Sequence, residues 1–216
     1  LTIEEDALLA TLPKAPSKLD PRKNIEKAKK RRNWVISRML AEGYITEAEA
    51  DEAKPIGSIK SIGAVNIIQE VKKHADEGRL VLGVCNGFQV LTESGLLPGV
   101  LLSNNHLKFN CKEQTLKVAS NDNPFTKKYK ANEEVMFPIA HHDGNYFADD
   151  KTIKQLEDNG QIAFRYGKNP NGSAHDIAGI TNKKGNVLGM MPHPERAISG
   201  ELGGIDGKRF FDNLLT

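Results

Sequence analysis

The stretch RLVLGVCNGFQVLTESG, Arg79 to Gly95, restricts the fold more than any other part of the sequence. A short apolar run ends in Gly83-Val84-Cys85-Asn86-Gly87, and a helical pattern begins at once. This is a strand turning sharply into a helix, and a residue at such a turn projects from the carboxyl edge of a sheet, where open α/β folds bind ligands. Gly83 and Gly87 remove side chains that would collide across a tight, strained turn. That is the geometry of a nucleophile elbow, with cysteine in place of serine. The helix N-terminus favours thiolate, and the Asn86 amide can face a developing oxyanion. A structural cysteine buried in a strand-to-helix turn would present the same GxCxG, so a second signal is needed.

It lies in Met191-Pro192-His193-Pro194-Glu195-Arg196. A nucleophilic cysteine requires a base, and the base requires a group that fixes its tautomer and supports its positive charge. His193 and Glu195 supply both types. A spacing of two places them on one side of an extended backbone. The flanking prolines stiffen that backbone, and the strand NVLGMM before it would deliver the pair to the sheet edge that carries Cys85. Alone, HPE also suits a surface turn.

From Ile67 onward the pattern is α/β: helix IIQEVKKHADEG, strand LVLGV, helix NGFQVLTESG, then strand-like runs at LKFNCK, TLKVAS, EEVMFPIA, QIAFRYG, DIAGITN and NVLGMMP. Strands alternating with helices predict a mostly parallel sheet covered on its faces. Phe109, Tyr146 and Phe164 are expected in the core. The segment before it reads as helical. LTIEEDALLATL is followed by prolines 13, 16 and 21, and then by NIEKAKKRRNWVISRMLAEG, whose stop is expected at Gly43. Thr46 with Glu49 forms a capping box for a third helix, TEAEADEAK. PIGSIKSIGAVN, residues 55–66, reads as a linker, which sets the domains at 1–57 and 58–216. The basic cluster at Arg22, Lys23, Lys27, Lys29, Lys30, Arg31 and Arg32 is expected to be the solvated face of a helix.

Thirty Lys and Arg against 28 Asp and Glu leave a net charge of +2, which provides no general field for nucleic acid or an acidic membrane. Neither is expected as a partner. No run approaches the ~20 apolar residues of a membrane span, and the N-terminal acids do not suit a signal peptide. Two cysteines, Cys85 and Cys111, are too few for a disulfide scaffold, so a reducing, cytoplasmic location is expected, with a bridge between them left open.

VLGVCNGFQVLTESGLLPG and GMMPHPER, together with LLSNNHLKFNCK, PIAHHDGNYF and NPNGSAHDIAGITNKKGNVLG, resemble the glutaminase subunits of phosphoribosylformylglycinamidine synthase, which are class I glutamine amidotransferases of purine biosynthesis. The resemblance runs from about residue 64 to residue 216. It implies a class I amidotransferase-like, flavodoxin- or Rossmann-like sheet. It implies that Cys85 attacks the side-chain amide of glutamine, that His193 is base and then acid, and that Glu195 orients it. Asn86, Gly87, Gln89 and His141 are the implied substrate-binding positions; for His141 a plain surface histidine stays open. The implied partner is the large synthetase subunit that consumes the ammonia. This sequence has no Walker loop and no GxGxxG, so ATP and magnesium are expected in that partner, with no cofactor or metal in this chain.

The family's opening strand, helix and strand, and the glycine-rich loop that supplies a second oxyanion donor, have no counterpart here. Gly57 and Gly63 are weak substitutes. LTIEEDALLATLPKAPSKLDP and RRNWVISRMLAEGYITEAEADEAKPI instead resemble the helical stretch between the two modules of class A penicillin-binding proteins. The transpeptidase SxxK and KTG motifs are missing. The expectation is a chimeric chain whose α/β part lacks its first strands and whose sheet edge is uncovered. An inert chain or helical interaction module, and a cysteine hydrolase of another γ-glutamyl amide, remain as alternatives.

Overall fold

A computed structural model describes residues 25–53 and 67–212. The first predicted helix, the prolines that follow it, Arg22, Lys23, the 55–66 linker with Gly57 and Gly63, and the 57/58 boundary lie outside the described residues. The chain divides into two compact units, residues 1–70 and 71–216.

In the first unit, α1 (Ile25–Ala41) and α2 (Glu47–Ala53) form a small apolar cluster of Ile36, Ala50 and Ala53. The stop is where the sequence places it, since Gly43 adopts φ 74°. The capping box is reciprocal: the Thr46 amide donates to the Glu49 carboxylate at 2.7 Å, and the Glu49 amide donates to the Thr46 hydroxyl at 3.3 Å. The basic face is not wholly solvated. Arg32 is buried, and Arg31 stacks on Trp34 at 3.8 Å from the ring centre.

The second unit is α/β. After α3 (Ile67–Asp76) come β1 (Val81–Val84), α4 (Asn86–Glu93), β2 (Val100–Leu102), β3 (Asn110–Val118), β4 (Glu134–His141) and β5 (Asn145–Phe147). Helix α5 (Asp150–Asp158), β6 (Ile162–Tyr166), β7 (Ile177–Thr181), β8 (Val187–Met190) and α6 (Asp206–Asp212) complete it. Six strands form one sheet in the order β1-β8-β7-β6-β3-β4, and β2 with β5 makes a separate ribbon. Strands β1, β8, β6 and β4 all run the same way, but only β1 and β8 are parallel neighbours. The ladders between are antiparallel because β7 and β3 are inserted in the opposite sense, β7 returning to β8 through the tight Asn182–Asn186 turn. Among the described residues β1 is a sheet edge.

The strands β7 and β8 are buried throughout, and adjacent residues of β8 feed two cores: Leu188 joins Phe137, Phe164 and Phe210, whereas Val187 joins Phe88, Ile162 and Ile180. Tyr146 and Phe164 lie in these cores as expected; Phe109 does not, being 59% exposed just before β3 begins. The runs LKFNCK and TLKVAS are not two strands. They merge into β3, whose pairing with β4 continues from Asn110↔His141 to Lys117↔Glu134. No helix among the described residues is long and apolar enough to cross a membrane.

Candidate active site

Helix α4 presses closely onto β1 and β8, and glycines allow it. A side chain at Gly83 would bring its Cβ to 2.5 Å from Leu91 and 2.7 Å from the Gly87 backbone. In β8, Gly189, which pairs with Gly83, would meet Phe88 at 2.2 Å. Gly87, expected from the sequence to avoid the same collision, does not need to. A Cβ on Gly87 would meet nothing within 4 Å; it is the Gly87 backbone that Gly83 must accommodate.

Cys85 caps α4 with φ 54° and ψ −109°, a conformation that costs a non-glycine residue energy and that the flanking structure must impose. Its amide is held by the Met190 carbonyl at 2.8 Å, and its thiol donates to the Ala140 carbonyl at 3.7 Å. The first bonded amides of the helix, Phe88 and Gln89, both use the Cys85 carbonyl. Those of Asn86 and Gly87 precede them and point from a helix N-terminus beside the sulfur. Both cysteines are free, so the bridge left open by the sequence does not form.

His193 follows β8, is nearly buried, and donates from Nδ1 to Glu195 Oε1 at 2.6 Å. That leaves Nε2 for the Cys85 sulfur; Nε2 is buried and makes no aligned hydrogen bond to any protein group. Burial alone would push the imidazole down. The adjoining Cys85 and Glu195 outweigh it and raise the ring to about 9. Glu195 is itself half-exposed and also lies 3.5 Å from Arg196.

Facing this group is the 141–144 turn. Gln89 donates from Nε2 to the Asp143 carbonyl at 2.7 Å, so the helix and the turn are tied together. His141 is buried, which removes the surface alternative. Burial, reinforced by the charge of His193, lowers its ring to about 4 and keeps it neutral. Its Nδ1 meets Asn104 Oδ1 at 3.1 Å, and since the Asn104 amide nitrogen donates to the Lys108 and His141 carbonyls, the His141 proton sits on Nδ1 and Nε2 is an open acceptor.

Several polar residues at this edge were not singled out from the sequence. Asn104, fully buried, orients His141. Asn171 and Ser173 both donate to the Gly144 carbonyl, at 2.7 and 3.2 Å, and clamp the turn from its far side. Tyr166 ends β6 with a buried hydroxyl that has no hydrogen-bond partner. SNNH and NPNGS offered a compositional signal, small polar residues in turns, but nothing that indicated burial. Among the described residues no cluster of His, Cys, Asp and Glu could hold a metal ion.

Comparison with known proteins adds the family. Residues 49–202 match the profile of the CobB/CobQ-like glutamine amidotransferase domain, and residues 1–40 match that of transglycosylases. Among solved structures, PurLQS from Thermotoga maritima is 45% identical with a TM-score of 0.63, the alignment covering 69% of this chain and 66% of that one. This chain therefore spans just under two thirds of that relative. A glutamine amidotransferase from Thermotoga maritima aligns at 13% identity and a TM-score of 0.44 over 74% of this chain and 55% of that one, too distant to bear on function. With most of its length matched by one profile, and the elbow, the HPE pair and the 141–144 turn all inside the match, the chain belongs to the CobB/CobQ-like glutamine amidotransferase family.

Proposed function

We propose that this chain is a glutaminase that hydrolyses the side-chain amide of glutamine through Cys85, His193 and Glu195. The observation that carries the reading is the cysteine strained to φ 54° at a helix N-terminus with an imidazole beside it that is raised to about 9 and anchored on a carboxylate. A raised imidazole next to a thiol favours the thiolate–imidazolium pair. The sulfur attacks the amide carbon. The oxyanion forms at the helix N-terminus, toward the Asn86 and Gly87 amides. His193 Nε2 gives its proton to the departing nitrogen, so ammonia leaves and a glutamyl thioester remains. Water then attacks the thioester while His193 accepts its proton, and glutamate departs as the thiol is restored. Glu195 holds Nδ1 and supports the ring's charge in both halves. Gln89 and the His141 turn border the same space and are assigned to substrate binding.

The likeness to Thermotoga PurLQS, together with the CNGFQVLTESGLLPG, NPNGS and MMPHPER segments, supports a narrower assignment. In it the chain is the glutaminase subunit of phosphoribosylformylglycinamidine synthase, passing ammonia to a large ATP- and magnesium-using synthetase subunit in the cytoplasm. The transglycosylase match over 1–40 and the amidotransferase match over 49–202 support reading the chain as a chimeric join. The test is incubation with a glutamine-analogue electrophile followed by peptide mass spectrometry. Labelling at Cys85 that glutamine suppresses, and that falls at least ~10²-fold in His193→Ala, is expected. A folded chain whose Cys85 stays unlabelled overturns the assignment. Ammonia release measured with and without a synthetase subunit then tests the partner.

A further inference from the structure

Among the described residues of the α/β unit, three buried side-chain atoms lack a hydrogen-bond partner: His141 Nε2, Tyr166 Oη and His193 Nε2. A buried polar atom without a partner costs free energy, so three at one edge of the sheet mark a place where something else completes them. Two belong to histidines already assigned to the site. The third is not. Tyr166 closes β6, which runs in the same direction as β1 and β8, so it lies at the same carboxyl edge as Cys85 and His193. Its ring is fixed in the core by pairing opposite Leu116 and packing among the sheet's aromatic residues. Asn171 is next to the hydroxyl, but its Oδ1 is taken by the Ser173 amide and hydroxyl, so it can offer the phenol oxygen only its second Nδ2 proton and leaves the phenol proton without an acceptor.

We propose that Tyr166 is a positioning residue whose hydroxyl donates a hydrogen bond to the Cys85 sulfur when that sulfur carries negative charge, directly or through one buried water. The inference rests on the glutaminase reading of the site and adds a group to it. Burial pushes the phenol well above its ordinary range, Asn171 lowers it by less, and the charge of Cys85 adds to the rise, so at neutral pH it keeps its proton and remains a donor. The other titratable groups around the sulfur are His193 with its Glu195, and neutral His141 beyond His193. Of these His193 supplies charge and His141 offers only an acceptor. A neutral side-chain donor is what these titratable groups otherwise lack, and beside the backbone amides of the helix N-terminus it would steady the thiolate without competing with His193 for the proton.

The experiment compares Tyr166→Phe with the native chain. The rate of alkylation by iodoacetamide is read by mass spectrometry on the Cys85 peptide, with exposed Cys111 as the internal reference. Phe keeps the ring in the core and removes only the hydroxyl. The rate is followed against pH, and the expected result is a Cys85 profile moved up by about one pH unit, the size of one hydrogen bond to a charged group, so that alkylation is about tenfold slower on its acid limb, with Cys111 unchanged and thermal stability equal to or above native. A Cys85 profile that stays in place or moves to lower pH overturns the proposal, and a merely structural tyrosine would lower stability without moving the profile. If Tyr166→Phe does not fold, the native chain decides. With tyrosine labelled at the ring carbon bearing the hydroxyl, the Tyr166 resonance should move as Cys85 ionises and stay still in Cys85→Ser, and a resonance that is flat in both overturns it. Failure of the glutaminase reading is separately visible, as a Cys85 that reacts with iodoacetamide in a Tyr166-dependent way yet ignores the glutamine analogue.

Discussion

The side-chain pairings described for the helical unit are local, whereas several that build the candidate site of the α/β unit join residues far apart in the chain. In the first, the described partners are close in sequence: Thr46 with Glu49, Lys29 with Glu26, Arg38 with Glu42. In the second, Cys85 sits beside a histidine far along the chain, Gln89 reaches the Asp143 carbonyl, and Asn104 fixes His141. Local pairing is cheap to form and worth little per pair, because both ends stay near water. Long-range pairing withdraws groups from water, which shifts their proton affinities and leaves some atoms unsatisfied. Chemistry is possible only in the second case, since a base that behaves as in water has no special reactivity.

The largest effect that should separate the two units comes from Gly83→Ala. The new Cβ meets the Gly87 backbone, which cannot swing aside as a flexible side chain could. A loss of about 3 kcal/mol or more from the α/β unit is expected in urea unfolding, with labelling of Cys85 lost as the elbow opens. Near-native stability would show that α4 is not seated by this contact.

Acidity should divide the units next. His141 is held neutral in the folded chain with its ring lowered from 6.5 to about 4, whereas the unfolded ring takes up a proton near 6.5. Its contribution is therefore intact above pH 6.5 and disappears as pH falls toward 4, by on the order of 3 kcal/mol. His193 has the opposite sign. Raised from 6.5 to about 9, it stabilises fully below 6.5 and loses that contribution as pH rises through 9. Urea midpoints of the α/β unit followed against pH should fall on both sides of this range, and His141→Asn should flatten the acid limb.

The smallest effect belongs to the helical unit. Thr46→Ala removes a hydroxyl that accepts from the Glu49 amide, and about 1 kcal/mol should be lost locally. Amide exchange in α2 would report it, while the reactivity of Cys85 should not change. A change there would mean that the two units are coupled.

Much of this fold was legible in the sequence because it is written in short range. The periodicity of EEVMFPIA and NVLGMM, the breakers around them, the Gly43 stop and the capping box each involve residues within a few positions of one another. The elbow was legible for the same reason. GVCNG carries its own steric argument, and only the part assigned to Gly87 needed correction. Phe109 was misjudged because aromatic character alone does not say which side of a strand end faces water. The pairing order was not legible either, since alternation of strands and helices specifies a class and not the sense in which β3 and β7 enter the sheet. Asn104, Tyr166 and Asn171 went unnoticed because nothing adjacent to them in the chain distinguishes a buried polar residue from an exposed one.

The sequence by itself determined the elements of this protein, the strained position of Cys85 and the kinds of side chain that could serve it. Only the tertiary structure decided that His193 and His141 both lose their water and move in opposite directions, and that a tyrosine hydroxyl is buried at the same edge without a partner. The physical reason is that proton affinity and hydrogen-bond satisfaction depend on what surrounds a group in space. That surrounding is assembled from strands β1, β4, β6 and β8, which no local pattern brings together.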